Sequence, residues 1–222
     1  MKLILIRHGE SEANFANYWT GWLDVDLTDK GSQQAREAGK RIKNSGLMID
    51  CAFESVLKRS IKTAELVLEE AKAIFVPEVK TWRLNERHYG DLIGKNKDEM
   101  AERFGKDQIK KWRRDFNEVP PLIKKNQLDR RYKNLDPRLI PRGESLSMTS
   151  KRVLPLWQDQ VIPRLKNGET VLVCGHGNSL RALIQYLEEI PENCVDEIQV
   201  PNATPILYSF DSNFTIKNKT EL

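Results

Sequence analysis

The chain reads as an α/β fold: a mostly parallel central sheet flanked by helices, with a helical and loop insertion. Three observations predict it. Short continuous apolar runs alternate with stretches whose apolar residues recur at helical spacing, the order expected of a parallel sheet and its crossovers. Two of those runs, LILIRHG and VLVCGHG, end on a His-Gly pair. A composition of 39% hydrophobic and 31% charged residues over 222 positions is that of a globular domain, not of long disorder.

The first run, residues 3–6, is short and unbroken, as in a strand covered on both faces. Thr28 can cap a helix on which Ala35, Ala38 and Ile42 recur and which Gly46 stops. Cys51, Ala52 and Phe53 fit a second strand, and Ser55 reads as the cap of a helix carrying Val56, Ile61, Ala64, Val67 and Leu68. A third strand is predicted at 74–76. The pattern then breaks into TWRLNERHYGDLIGKNK, two short charged helices, and a polar, proline-bearing stretch over 117–142, a length that suggests a lid. A long helix is predicted over 144–166, with Pro155 and Pro163 kinking or fraying it. TVLVC and PILYSF supply the last strands, with a helix over 179–187 between them. One domain spanning 1–222, with an insertion at about 84–142 as a substrate lid, accounts for these elements. The sequence stops at Leu222, soon after the last predicted strand, which leaves 117–142 as the sizeable lid candidate.

Several classes are disfavoured. Cys51, Cys174 and Cys194 are far apart and lack C-x-x-C spacing, so they suggest neither a disulfide framework nor a zinc site; they read as reduced cytoplasmic thiols. The N-terminal apolar run is too short for a signal or membrane segment. A net charge of +4, from 36 basic and 32 acidic residues, is a mixed surface suited to small anions as well as to polyanions. GDLIGKN imitates a P-loop but has too few residues between its glycines and Asn96 where Ser or Thr is needed.

In open α/β sheets ligands bind beyond the carboxyl ends of the strands, where His8 and His176 both fall. The glycine after each lets a ligand or another backbone come close. The following Glu10-Ser11 and Asn178-Ser179 offer backbone N–H groups and short polar side chains, an anion cradle. The chain has three histidines, so two at matching strand ends call for a shared reason. Arg7 adjoins His8, and Arg59 follows the second strand. Guanidiniums beside an imidazole lower its pKa and neutralise a phosphoryl group, which describes a phosphoryl acceptor.

LIRHGESEAN, TGW, SVLKRSIKTA, LNERHYG, KKWRR, ESL and GHGNSLRAL together resemble, in order and spacing, the cofactor-dependent phosphoglycerate mutases of the histidine phosphatase superfamily, over nearly the whole chain. The resemblance implies a phosphoglycerate mutase-like fold. It implies that His8 is the phosphorylated nucleophile, that Glu86 is the general acid and base, and that Arg7, Arg59 and His176 bind the transferring group. It further marks Ser11, Asn14, Thr20, Gly21, Arg87, His88, Tyr89, Lys97, Arg113, Arg114, Gly177 and Asn178 as substrate-binding positions. Taken alone, Glu86 is a solvated loop carboxylate, and Arg113 with Arg114 an exposed charged face.

The activity so implied is glycolytic and gluconeogenic interconversion of 3-phosphoglycerate and 2-phosphoglycerate through a phosphohistidine, with 2,3-bisphosphoglycerate as priming phosphate donor and no metal. The implied partners are small phosphoglycerates, with no nucleic acid and no membrane, in a cytoplasmic homodimer or homotetramer. Bisphosphoglycerate synthase or phosphatase activity on the same scaffold is the near rival; Thr20-Gly21-Trp22 resembles the mutase form. A non-catalytic polyanion binder using KKWRR, Lys124, Lys125, Arg130, Arg131, Lys133 and Arg138 is the remote one. Ala13, Ile93 and Lys95 depart from the family pattern, which usually has Trp at the first position and LQGLNK across the other two.

Overall fold

A computed structural model describes residues 1–125 and 129–222. The elements are β1 (Lys2–Arg7), a short α1 (Glu12–Phe15), α2 (Asp29–Asn44), β2 (Cys51–Glu54), α3 (Lys58–Glu70), β3 (Glu78–Lys80), α4 (Lys97–Phe104), α5 (Lys106–Arg114), α6 (Leu146–Leu156), α7 (Ile162–Lys166), β4 (Thr170–Gly175), α8 (Gly177–Leu187), β5 (Ile206–Phe210) and β6 (Ile216–Glu221). They build a six-stranded sheet in the order β3-β2-β4-β1-β5-β6. The first four of these strands run parallel, while β5 is antiparallel to both β1 and β6.

Alternation along the strands divides the core. Ile4, Ile6, Ala52, Leu172 and Cys174 pack against Ala38 and Ile42 of α2 and Ala64, Val67 and Leu68 of α3. Leu3, Leu5, Phe53, Val171 and Val173 face Val153 and Leu156 of α6 and Leu180 and Leu183 of α8. Both faces are therefore covered, which is why the strands read as unbroken apolar runs.

The β1–β4 register pairs Lys2 with Thr170 and Arg7 with Gly175. Both strands end at the same height, and the His8 N–H donates to the Gly175 carbonyl at 3.0 Å. The two His-Gly junctions are thereby side by side. β2 pairs Glu54 with Cys174, which brings Ser55 to the same edge.

Local departures from expectation have physical causes. Thr28 does cap α2, accepting from the Gly31 N–H at 3.0 Å. Ser55 does not cap α3: the helix starts at Lys58, its N-cap Leu57 has no side-chain bond, and the Ser55 hydroxyl is engaged elsewhere. The third strand is Glu78–Lys80, not 74–76; Ile74 and Phe75 are exposed on a turn that follows the left-handed Lys72 (φ 60°). Pro155 and Pro163 do not break the long helix. They bracket a π-helical stretch, Trp157–Val161, whose wider turn joins α6 to α7. The helix after the second His-Gly begins at Gly177, not at Ser179. Strand β6 was not anticipated, because IKNKTE on the sheet edge is polar on both faces.

Of the stretch 117–142, residues 126–128 lie outside the described residues. The rest carries one-turn helices at Arg130–Tyr132 and Pro137–Leu139 and is tied back where the Ile123 N–H meets the Arg142 carbonyl at 3.0 Å.

Candidate active site

His8 is 3% exposed, and its Nδ1 lies 2.7 Å from the Gly9 carbonyl. A carbonyl only accepts, so Nδ1 carries the ring proton and Nε2 keeps its lone pair. Burial, then Arg59 and Arg7, hold the His8 pKa well below its ordinary value, although the Gly9 bond opposes them. The neutral, nucleophilic ring expected from the two arginines is thus owed first to desolvation. The two glycines serve different ends. A Cβ on Gly9 would meet the Gly31 carbonyl oxygen at 2.2 Å, so the close neighbour there is the start of α2. A Cβ on Gly177 would meet Arg7 and the Glu86 Oε2 at 3.7 Å, so the second glycine leaves room beside these two side chains.

His176 is fully buried, its ring centroid 4.9 Å from that of His8. Its Nε2 lies 2.7 Å from the Ser55 Oγ, while Nδ1 is buried with no hydrogen-bond partner among the described residues. Burial, Arg59, His8 and Arg7 hold its pKa well down as well. Arg59 is anchored through Nη1 to the Leu23 carbonyl at 2.8 Å and through Nη2 to the Gly21 carbonyl at 2.9 Å, which leaves its buried Nε free. Burial lowers its pKa to about 10, far above neutrality, so the guanidinium keeps its charge. Arg7 is anchored to the Val200 carbonyl at 3.0 Å, again with a buried Nε lacking a partner. Three buried nitrogen groups that lack partners among the described residues, around one neutral ring, are costly unless an anion meets them.

Glu86 is held through one oxygen. Oε1 accepts from the Arg87 N–H at 2.8 Å and from the backbone and side-chain amides of Asn178, both at 3.1 Å. The loop bearing it is braced at the Glu86 carbonyl by the Trp22 indole N–H at 2.6 Å and by Arg152 Nη2 at 3.0 Å. Arg152 in turn forms a buried ion pair with Glu144 at 2.7 Å.

A cleft of about 130 Å³ opens onto Glu86, lined by Arg7, Asn14, Thr20, Gly21, Tyr89, Lys97, Arg113, Arg114, Gly177 and Asn178 from the sequence expectation, and by Tyr18, Trp19 and Arg181 besides. Arg113 is exposed on α5 but also forms part of this wall, so the charged-face reading holds for only one side of it. Burial, Arg113 and Arg7 lower the Lys97 pKa to about 8. With five cationic side chains and one carboxylate on its walls, the cleft suits a small ligand carrying several negative charges.

His8, Arg59 and His176 are buried and off the cleft walls. So are three residues expected to touch substrate. Ser11 caps α1 and exchanges bonds with Asn14, holding that side chain in the wall. Arg87 donates from Nη2 to the Trp112 carbonyl, just before Arg113 and Arg114. His88 receives the Gly90 N–H on Nδ1 at 3.0 Å, and its own N–H goes to Glu144 at 2.7 Å; burial lowers its pKa to about 4. Arg181, which the sequence reading passed over, lies three residues after Asn178 on α8, and its Nη1 donates to the Asn178 Oδ1 at 2.6 Å. That i, i+3 spacing was the available signal. Among the described residues no group of three His, Cys, Asp or Glu side chains is arranged to hold a metal, and no helix is long and apolar enough to cross a membrane.

A family model described as the histidine phosphatase superfamily (branch 1) matches residues 3–218. The chain is 48% identical, over all of its length and 98% of the relative's, to 2,3-bisphosphoglycerate-dependent phosphoglycerate mutase 2 of Lactiplantibacillus plantarum. It is also 48% identical, over 97% of its length and 96% of the relative's, to the 2,3-bisphosphoglycerate-dependent phosphoglycerate mutase of Streptococcus agalactiae. Among solved structures it is similar to Bacillus stearothermophilus YhfR, at a TM-score of 0.75 and 26% identity over 97% of this chain and 93% of that one. A mycobacterial glucosyl-3-phosphoglycerate phosphatase shares the fold at a TM-score of 0.76 and 21% identity, over 99% of this chain and 96% of that one.

Proposed function

The chain belongs to the histidine phosphatase superfamily, and from that premise we propose that it is a 2,3-bisphosphoglycerate-dependent phosphoglycerate mutase, interconverting 3-phosphoglycerate and 2-phosphoglycerate through phosphorylated His8. The observation that carries the chemistry is the set of buried groups without partners, Arg7 Nε, Arg59 Nε and His176 Nδ1, around a neutral His8 whose Nε2 lone pair is free. Such a pocket fits a transferring phosphoryl group, and 2,3-bisphosphoglycerate supplies that group when it primes the enzyme.

The steps follow from positions. His8 Nε2 bonds to phosphorus as the P–O bond to the substrate breaks, and Glu86 gives its proton to the leaving oxygen. In the opposite direction the acceptor hydroxyl loses its proton to Glu86 as its oxygen takes the phosphoryl group from His8. The transition state is loose and highly charged, so the arginines contribute by fixed charge in a water-poor site. Arg7, Asn14, Thr20, Gly21, Tyr89, Lys97, Arg113, Arg114, Gly177 and Asn178 hold the rest of the substrate, whereas Ser11, Arg87 and His88 support the wall behind them. The unit is one domain, 1–222, with the 84–142 insertion framing the cleft. Polyanion binding is the weaker reading, because part of its basic stretch is already neutralised: Arg131 pairs with Asp24 and Asp129, and Arg138 with Asp136.

The same reading makes the protein a cytoplasmic homodimer or homotetramer, which sedimentation and fractionation measure. Its central test is 3-phosphoglycerate conversion with and without 2,3-bisphosphoglycerate, together with the site of labelling. Conversion that depends on the bisphosphate, with an acid-labile, alkali-stable phosphate on His8, is expected. Phosphate release without isomerisation would make the protein a phosphatase, and label on His176 or a serine would overturn the mechanism.

A further inference from the structure

The buried hydroxyl of Ser55 has two neighbours: the Leu57 N–H at 3.2 Å and the His176 Nε2 at 2.7 Å. The amide can only donate, so it takes one of the oxygen's lone pairs. The hydroxyl proton then needs an acceptor, and among the described residues His176 Nε2 is the one hydrogen-bonded to it that can accept. Were Nε2 protonated instead, the Ser55 proton would be stranded in a buried site at a cost comparable to a lost hydrogen bond.

A neutral imidazole carries one N–H. Donation from Ser55 to Nε2 therefore forces the His176 proton onto Nδ1, the nitrogen that is buried without a partner. In the other tautomer Nδ1 would turn a lone pair toward a phosphoryl group that already carries negative charge. Ser55 belongs to no wall of the cleft.

We propose that Ser55 is a positioning residue that fixes His176 as a neutral Nδ1–H donor to the transferring phosphoryl group. The inference rests on the phosphoryl-transfer reading for its consequence, but not for the tautomer itself. It also explains why the fold uses two histidines. Both rings carry their proton on Nδ1, yet they offer opposite atoms to the reaction: His8, tied through Nδ1 to Gly9, presents the lone pair of Nε2, and His176, tied through Nε2 to Ser55, presents the Nδ1–H. One register of two parallel strands sets a nucleophile beside a donor, and the second-strand edge supplies the hydroxyl that tells them apart.

The test is long-range ¹H–¹⁵N NMR of the full-length protein labelled at histidine, where three rings are present and His176→Gln assigns the one in question. A pyrrole-type Nδ1 and a pyridine-type Nε2 on His176 are expected. Ser55→Ala should move His176 toward the Nε2–H tautomer, weaken vanadate inhibition by about 10- to 100-fold, the worth of a hydrogen bond to a charged group, and lower kcat more than it raises KM. Ser55→Thr should restore all three. A pyridine-type Nδ1 in the unaltered protein, or an unchanged His176 tautomer in Ser55→Ala, overturns the proposal. The first of these needs no variant and so does not depend on how Ser55→Ala folds. If His8 of the unaltered protein takes up no phosphate while the His176 pattern is as expected, the mutase reading fails and the tautomer assignment stands.

Discussion

Asn178 grips one oxygen of Glu86 twice, its backbone N–H and its side-chain amide each 3.1 Å from Oε1. With the Arg87 N–H also on Oε1 at 2.8 Å, no hydrogen bond among the described residues restrains Oε2, which a Cβ on Gly177 would meet at 3.7 Å. One carboxylate oxygen is a fixed anchor and the other is free to carry a proton, the division of labour that a group acting alternately as acid and base requires.

Glu86→Gln keeps the anchor geometry and removes the proposed proton carrier. Turnover should fall by about 10² to 10⁴, the usual worth of general acid–base catalysis, while KM changes little. Steady-state kinetics in both directions decide it; a rise in KM with kcat intact would make Glu86 a binding group only.

Asn178→Ala tests the anchor. The Asn178 side chain also donates to the Tyr89 hydroxyl at 2.6 Å and receives Arg181 at 2.6 Å, so it ties the carboxylate to two cleft walls. Losing it should lower kcat by about tenfold, one hydrogen bond's worth, and raise KM as Tyr89 and Arg181 lose their hold. An unchanged kcat would show that the two backbone amides suffice to orient Glu86.

The heart of the candidate site was legible because His8 and His176 sit where strands end, and strand ends are marked by simple signals: an apolar run, a histidine and a glycine. What the sequence hid was which polar groups satisfy one another. Ser55 carries the pattern of a helix cap, but the partner that wins its hydroxyl, His176, is 121 positions away. Arg87 and His88 sit within the same motif as Glu86, and nothing in their order says that burial turns them away from the cleft. Ile74 and Phe75 misled for the opposite reason, being apolar and exposed; edge strand β3 needs little apolar pattern, because its neighbour β2 fixes its register.

Gly31 packs its backbone against Gly9 and Glu10, a close approach that fixes the loop after His8. A Cβ on Gly31 would lie 2.0 Å from the Glu10 carbonyl oxygen, and both partners there are backbone, which cannot swing aside. Gly31→Ala should therefore cost about 1 to 3 kcal/mol or more, as overpacked sites do. Gly46→Ala is the control: nothing lies within 4 Å of its Cβ position, and its φ of +73° alone should cost about 1 to 2 kcal/mol. Denaturant midpoints for the two variants give the comparison, and equal losses would mean that the Glu10–Gly31 contact relaxes.

Glu54, at the end of β2 beside Ser55, is fully buried, and its pKa is pushed up to about 7 by burial and by Glu78, against the pull of Lys80, whose Nζ is 3.2 Å away. Cys174 faces it from β4, and Glu65 acts on Lys80 from α3. The ordinary value is 4.5, so the folded state holds this proton more tightly than the unfolded chain does. The resulting stabilisation is present below pH 4.5 and is lost as pH rises through 7. His88 works in the other direction: lowered to about 4 from 6.5, it contributes stability above pH 6.5 that is lost as pH falls through 4. The bare stability curve therefore mixes two opposed slopes, and a substitution is needed to separate them. Glu54→Gln imitates the protonated acid and leaves the histidines untouched. Its stability relative to the unaltered protein should climb between pH 4.5 and 7 and then level off, gaining on the order of 2 to 3 kcal/mol. Urea unfolding of both proteins at each pH reads the difference. A flat difference across that window would mean that Glu54 stays ionised, with Lys80 and water together compensating a carboxylate that the fold places out of solvent.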